Sequence, residues 1–590
     1  MFVYSMSEHK KKYIAVINQE EVNDEVRNIA INYDPINRSG GQGFHLNEDG
    51  KLHIEDAQVI EAHKIIQNKI PNEAIKIIPL SSARGRLIHQ YGQNGFSLYR
   101  LPRPKFNQVV GIIGRNGIGK STAMKILAGE LEPNLGDHEK TPDFSEVIGE
   151  FKGTEAQIFF EKLQQGEVRL SYKPQHVELI PKKFKGKVRT LLEKVDERNC
   201  LDEIAKELEL EKLLDRKITQ ISGGELQRVA IAAAAMKDAN LYLFDEPTSY
   251  LDVKQRVKVS KYLQSLKDED TSIIVIEHDL IILDYMTDLI HIMYGEEEGY
   301  GVVSKTKTTK RGINTYLGGY ITDENVQFRQ GKIEFESKAP RDDKSLHVLT
   351  SWPSFGHDFE DFSLRIEEGT LYKGDVVGVL GENGIGKSTF AKIIAGEIKK
   401  DEWDKDDLKI SYKPQYLESG KEPVALVLKD AAKHKTVFRP LNLDTLMTKT
   451  MDSLSGGQLQ RVRIAEALSK EADLYVLDEP SAYLDVEARL TISKVIRNFM
   501  EDTQKTCLVI DHDLLFLDYI SKSLMVFSGE PARRGVGVGP LEMEEGMNMF
   551  LKDLDITFRR DEANNRPRVN KEGSQKDKQQ KANNNLYYTP

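Results

Sequence analysis

Cysteine is nearly missing: two residues, Cys200 and Cys507, serve 590 positions. So low a count excludes a disulfide framework and any site within the chain that needs four thiolates. Long apolar runs are missing as well. No stretch approaches the ~20 residues of a membrane span, and Met1–Lys12 (MFVYSMSEHKKK) has no apolar leader core, so the chain is expected to be soluble and cytoplasmic. Nor does one sign of charge dominate. Lys and Arg number 83 against 93 Asp and Glu, a net charge of −10, so any contact with a polyanion has to come from local basic patches. What is present is 39% hydrophobic residues. Over this length that is enough for roughly four domains of ~150 residues with real cores.

The chain repeats itself. GRNGIGKST at Gly114–Thr122 returns as GENGIGKST at Gly381–Thr389, and SYKPQ at Ser171–Gln175 returns at Ser411–Gln415. ISGGELQRV at Ile221–Val229 returns as LSGGQLQRV at Leu454–Val462, and LYLFDEPTSYLD at Leu241–Asp252 as LYVLDEPSAYLD at Leu474–Asp485. Fragments recurring in one order mark two copies of one module. From Lys120 to Ser222 is 102 residues, against 68 from Lys387 to Ser455, so the first copy carries an insertion. Each Gly-rich loop follows a β-branched run and precedes a helix-period stretch. Each DEP element closes another apolar run. The expected fold class is therefore α/β with largely parallel core strands.

The divisions expected are a small domain over 1–81, a first module over 82–299 with an insertion at about 143–164, a connection over 300–345, a second module over 346–540, and a tail over 541–590. Between Arg559 and Lys581 the tail has eight basic and four acidic residues, which suits either a solvated end or a contact with RNA phosphates.

The two loops predict phosphate chemistry. In G-x-x-x-x-G-K-S, Gly114, Gly117 and Gly119 let backbone N–H groups approach an anion at the positive end of a helix. Lys120 is expected to bridge the β- and γ-phosphates, and Ser121 to hold Mg²⁺. Gly381, Gly384, Gly386, Lys387 and Ser388 take the same roles in the second loop; Asn116, Thr122, Asn383 and Thr389 complete the two binding sets. Asp245 and Asp478 end strands where a carboxylate reaches the metal shell, and Glu246 and Glu479 beside them are placed to polarise the attacking water. His278 and His512 follow those aspartates by 33 and 34 residues and suit a switch contact to γ-phosphate or water. Gln175 and Gln415, just after a proline, are expected to sense Mg²⁺ and water. Ser222-Gly223-Gly224 and Ser455-Gly456-Gly457 each open a helix with a hydroxyl and free backbone donors, a second anion cradle or an ordinary cap.

Loop, Gln, SGG, DEP, Asp and His elements in this order resemble ATP-binding-cassette (ABC) proteins. The resemblance implies that the SGG of one module covers ATP held on the loop of the other. One site would then join Lys120, Ser121, Gln175, Asp245, Glu246 and His278 with Ser455 and Gly457. The other would join Lys387, Ser388, Gln415, Asp478, Glu479 and His512 with Ser222 and Gly224. The first follows Glu277 with its histidine and the second follows Asp511, a small inequality. Tyr91 or Phe96 in the first module and Trp352 in the second are candidates to stack on adenine or to pack the core.

Tandem modules, the insertion DFSEVIGEFKGTEAQIFFEKLQ (Asp143–Gln164), the stretch from Tyr300 to Asn325 and the tail FLKDLDITFRRD…RPRVNK resemble ABC subfamily E, the RNase L inhibitor family of ribosome-recycling ATPases. This resemblance implies splitting of ribosomes into subunits after termination or stalling. The implied partners are the small subunit and its RNA, touched by a helix–loop–helix insertion, and a class-1 release factor or Pelota-like protein. No membrane partner is implied, and the chain is expected to act as a monomer with ATP and Mg²⁺ as cofactors. The family's ferredoxin-like N-terminal domain holds two [4Fe–4S] clusters. Here the run C-x₂-C-x₂-C-x₃-C-P survives only as Ile60, His63, Ile66 and Ile70 before Pro71, and no cysteine precedes Cys200. No iron–sulfur cluster is therefore expected, and a hydrophobic core in an α+β domain, including a helix over Asp56–Ile70, is expected to take its place. The alternative function is an ATP-dependent ribosome-binding clamp or translation factor that does not separate subunits. A third, the ATPase half of a transporter, would require a separate membrane subunit.

Overall fold

The computed structural model describes residues 13–81, 85–137, 144–150, 155–333, 335, 347–398, 408–431 and 434–587. Each module is built on one mixed sheet. In the first, the order runs Leu87–Gln90, Ser97–Tyr99, Tyr300–Val303, Leu289–Glu296, Gln108–Ile113, Ser272–Ile276, Leu241–Asp245, Leu170–Lys173. The second follows the same order with Phe355–Asp358, Ser363–Ile366, Arg534–Glu542, Ser523–Glu530, Val376–Leu380, Thr506–Ile510, Leu474–Asp478, Ile410–Lys413. The five strands at the site end of each sheet pair in parallel. Leu241–Asp245 and Leu474–Asp478 are buried along their whole length, which is why they read as unbroken apolar runs rather than alternating ones.

This topology places the loop after Gln108–Ile113 and the DEP turn after Leu241–Asp245 at the carboxyl ends of strands separated only by Ser272–Ile276. That edge is where ligands sit in parallel α/β sheets. Tyr300–Val303 is a strand of the first sheet and Arg534–Glu542 a strand of the second, so the sheets run past 299 and 540. The sequence had no alternation to announce Tyr300–Val303, because this strand is buried on both faces.

The N-terminal domain is α+β. Tyr13–Ile17 pairs antiparallel with Ile75–Pro79, and His45–Leu46 with Leu52–His53 across the Asp49-Gly50 turn. The single helix expected over Asp56–Ile70 is instead two 3₁₀ turns, Asp56–Gln58 and Glu61–His63, and a short helix Lys64–Gln67. Val59, Ile66 and Ile70 are buried with Phe44, Leu52 and Ile54, but Ile60 is 42% exposed. His63 turns inward and lies 3.2 Å from Asp34, both side chains fully buried. Asp34 also accepts from the amides of Ile36, Asn37 and Phe44, so a polar staple fastens the domain beside its apolar core.

The insertion forms helices Phe144–Glu150 and Glu155–Gln164. The tail is not a loose end. A helix Met543–Leu554 leads to a hairpin of Phe558–Arg560 and Pro567–Val569, then to a helix Gln575–Ala582. Arg568 grips Asp284 of the first module through two bonds of 2.7 and 2.9 Å, and Arg560 grips Asp518 of the second through two of 2.8 and 2.9 Å. Arg566 is fully buried and also reaches Asp284 at 3.3 Å. These three arginines are neutralised by the protein itself, so neither a solvated end nor an RNA contact describes them. Forked arginine–carboxylate pairs account for why this basic run folds.

Candidate functional site

Within each module the loop closes on its own lysine. Lys120 Nζ donates to the carbonyls of Gly114 and Arg115 at 2.9 and 2.6 Å, and Lys387 Nζ to those of Gly381 and Glu382 at 2.9 and 2.7 Å. Gly119 and Gly386 adopt φ of 85° and 104°, and a Cβ on Gly119 would meet the Phe96 ring at 2.5 Å. The helices Lys120–Leu127 and Lys387–Ala395 begin there without a side-chain cap, so their first amides stay available to an anion.

The acids gather opposite. Asp245 and Asp478 are each 1% exposed, and among the described residues both carboxylate oxygens of each lack a hydrogen-bond partner. Burial pushes both carboxyls above the ordinary carboxylate range, and Ser121 and Ser388 sit close enough to oppose it in part. A buried, unpartnered carboxylate beside a hydroxyl fits a hard divalent cation that takes oxygen ligands. Glu246 accepts from Gln175 Nε2 at 2.7 Å and Ser249 Oγ at 3.0 Å, with His278 Nε2 at 3.3 Å. Glu479 accepts from Gln415 Nε2 at 2.7 Å, with His512 Nε2 at 3.6 Å, and Ala482 stands where the first site has Ser249.

These differences have an electrostatic result. Burial pushes the Glu246 carboxyl up, but His278, Lys120 and Ser249 outweigh it and hold the group at about 2. Burial raises Glu479 too, and here Asp478 and Asp511 add to it, so the carboxyl is pushed up to about 7. Burial, with Lys387 and Arg256 nearby, pushes His512 well below the ordinary imidazole range.

The two sites meet across a seam. Asp485 caps the helix Val486–Thr503 by accepting from Ala488 N with Oδ1, while its Oδ2 accepts from Asn116 N of the first loop at 2.9 Å. Asp252 does the same in the other direction: Oδ1 accepts from Gln255 N, and Oδ2 from Asn383 N at 3.0 Å. Burial pushes both loop lysines down, Lys387 to about 8; the strongest opposing influence on each is this aspartate from the other module. Lys254–Glu382 at 2.9 Å and Arg115–Glu487 at 3.6 Å flank the contacts. The loop of one half therefore faces the opposite half, head to tail.

Ser222 and Ser455 are exposed, and each hydroxyl caps its own helix. Among the described contacts it is Asp252 and Asp485 that reach across, not these serines. The SGG elements do lie against the same turns: a Cβ on Gly224 or Gly457 would come within 2.9 or 3.0 Å of the Tyr250 or Tyr483 carbonyl. Tyr91 is 45% exposed, its hydroxyl 3.3 Å from Thr122 Oγ1 at the start of the loop helix. Trp352 is 2% exposed and packs on Phe390, so core packing is its role. The aromatic matching Tyr91 in the second module is Phe359, 44% exposed and 6.2 Å from Phe362, whose ring approaches Gly386 as Phe96 approaches Gly119. Sequence reasoning passed over Phe359, and it quoted Asp252 and Asp485 within a repeated motif without giving them a task. The repeat itself was the signal.

Comparison with known proteins agrees with this geometry. The family model described as "ABC transporter" matches residues 105–249 and 364–482. The "ABC transporter E family member 1" of Arabidopsis thaliana is 42% identical over 94% of this chain and 95% of its own. A crystal structure of an archaeal ribosomal stalk protein in complex with the archaeal ribosome recycling factor aABCE1 is 48% identical, TM-score 0.82, over 86% of this chain and 100% of that one. A model of ribosome-bound archaeal Pelota and ABCE1 is 47% identical, TM-score 0.91, over 98% of this chain and 99% of that one.

Replacing both seam aspartates (Asp252→Ala with Asp485→Ala) is expected to cost about 1 kcal/mol per lost cap. It should also leave the molecule more open with a non-hydrolysable triphosphate, read as a larger radius of gyration by small-angle scattering than the unaltered chain shows.

Proposed function

The chain belongs to the E family of ABC proteins, and we propose that it recycles ribosomes, drawing two ATP molecules between its halves and using their hydrolysis to part the subunits. It is an ATP hydrolase. The single observation that carries the reading is the reciprocal seam, where each phosphate loop is bonded to a carboxylate of the other module. Clamp closure can then depend on both triphosphates. Moving such a clamp from mostly open to mostly closed takes about 5.5 kcal/mol of differential binding. Two triphosphates meeting charge-assisted donors from both sides are a reasonable source of that energy.

In this reading Lys120 and Lys387 give up their carbonyl partners to phosphate oxygens, and Tyr91 offers its ring to adenine. Ser121, Gln175 and Asp245, with Ser388, Gln415 and Asp478 in the other site, would hold Mg²⁺, which offsets charge on the phosphates when bound. Glu246 and Glu479 orient the attacking water and accept its proton, with His278 and His512 alongside. The proposed partners follow those named for the relatives: the ribosome, with a Pelota-like or class-1 release factor, in the cytoplasm. Because one chain supplies both halves of each site, a monomer is the proposed working unit.

We also infer that the N-terminal domain carries no iron–sulfur cluster. No cysteine precedes Cys200, and buried Ile66 and Ile70 occupy two of the ligand spacings. This same substitution favours a second reading, a ribosome-bound clamp that does not separate subunits, because the arm expected to push has changed its filling.

Incubating whole ribosomes with the chain, a release-factor partner and ATP should release free subunits; unchanged monosomes would favour the clamp. Glu246→Gln with Glu479→Gln should slow hydrolysis by ~100-fold or more and prolong ribosome association. Anaerobically purified protein should contain less than one iron per chain, where two four-iron clusters would give about eight.

A further inference from the structure

The repeated motif Ser-Tyr-Lys-Pro-Gln contains a lysine that the reaction scheme does not use. Lys173 ends the strand Leu170–Lys173 and is 1% exposed; Lys413 ends Ile410–Lys413 and is 3% exposed. Among the described residues neither ammonium meets a carboxylate within hydrogen-bond distance. Lys173 Nζ donates to the carbonyls of Asp245 at 2.8 Å and Glu246 at 3.2 Å. Lys413 Nζ donates to those of Asp478 at 2.7 Å and Glu479 at 3.3 Å. Burying an ammonium is costly, and an aliphatic side chain of similar length would fill the space more cheaply. Finding the same arrangement in both modules argues that the charge has a use.

The use is visible in the backbone it holds. Glu246 and Glu479 adopt φ of 46° and 48°, a left-handed conformation that is unfavourable for a non-glycine residue and persists only where its surroundings enforce it. Three elements do so. The amide of Glu246 donates to Ile276 O, and that of Glu479 to Ile510 O. Gln227 and Gln460, each fully buried on the helix that follows the SGG element, donate through Nε2 to the carbonyls of Glu246 and Glu479 at 2.7 Å. The lysine holds the same carbonyl and the one before it. Two residues further on, Gln175 and Gln415 hold the glutamate side chains at 2.7 Å. One short segment thus grips both backbone and carboxylate of the water-orienting residue.

We propose that Lys173 and Lys413 are positioning residues for hydrolysis, pinning the left-handed peptide that aims Glu246 and Glu479, with Gln227 and Gln460 as the second leg of each clamp. This rests on the ATPase reading above. Releasing the peptide lets the glutamate turn away from the water's path while leaving the phosphate loop untouched. A displacement of about 1 Å at such a group costs about a hundredfold in rate.

The test uses the full chain carrying Lys173→Met with Lys413→Met, which keeps side-chain length and removes the donors. Steady-state turnover of Mg-ATP, binding of a fluorescent ATP analogue and thermal midpoint are measured together. The expected result is a kcat lower by ~10- to 100-fold, KM and analogue Kd within about twofold of the unaltered chain, and an equal or higher Tm. Gln227→Met with Gln460→Met should show the same kcat-only signature, and it decides the matter should the lysine variant fold poorly. A kcat within about twofold of the unaltered chain, or a loss that follows Kd or Tm in proportion, overturns the proposal. Absence of turnover in the unaltered chain would instead defeat the ATPase reading.

Discussion

Two backbone amides carry the architecture of the site, those of Asn116 and Asn383, each donating to a carboxylate in the opposite module. Each carboxylate is already committed through its other oxygen to capping the helix behind it. The helix start is thereby a fixed point, and the phosphate loop of the other half is measured against it. Any shift of one module changes the loop of the other before it changes anything at the periphery. A residue with two oxygens and two obligations is well suited to this work, because neither bond can move without straining its twin.

Around that shared seam the two centres are unlike. Ser249 gives Glu246 a third donor, and Ala482 gives Glu479 none. Asp511, in contact with Ser481, adds negative charge near Glu479; its counterpart Glu277 contacts Thr248, and around Glu246 it is His278, Lys120 and Ser249 that prevail. The fold repeats faithfully and the charge does not. Central to the seam, Arg256 pairs with Asp279 at 2.9 Å and Arg489 with Asp513 at 2.7 Å, directly beside the two histidines. The inequality of the centres thus meets at one buried group of charges.

The parts of this molecule that were legible from sequence are those in which a local rule decides the structure. Glycine spacing announces the loops, because only a residue without Cβ fits at Gly119 against Phe96. Unbroken apolar runs announce the parallel strands. The repeat announces that there are two of everything. Long-range pairing was not legible: Arg560 and Arg568 look like a basic tail until the aspartates they meet, 42 and 284 residues away, are in view. Trp352 illustrates the same limit, since an aromatic upstream of a loop can face the ligand or the core, and only packing against Phe390 decides which. The helix expected over Asp56–Ile70 is broken at Val59 and Ile60, whose backbone is extended, and this leaves Ile60 facing outward, which a single apolar stripe did not allow for.

The tail binds Asp284 and Asp518, and these are equivalent residues, each six positions beyond its module's histidine. One strap therefore holds both halves at matching points, like the spine of a book. A spine fixes what the covers can do. Displacement is smallest along the bound edge and grows with distance from it, so the strap converts a small rotation of one half into a larger one at the edges farthest from Asp284 and Asp518.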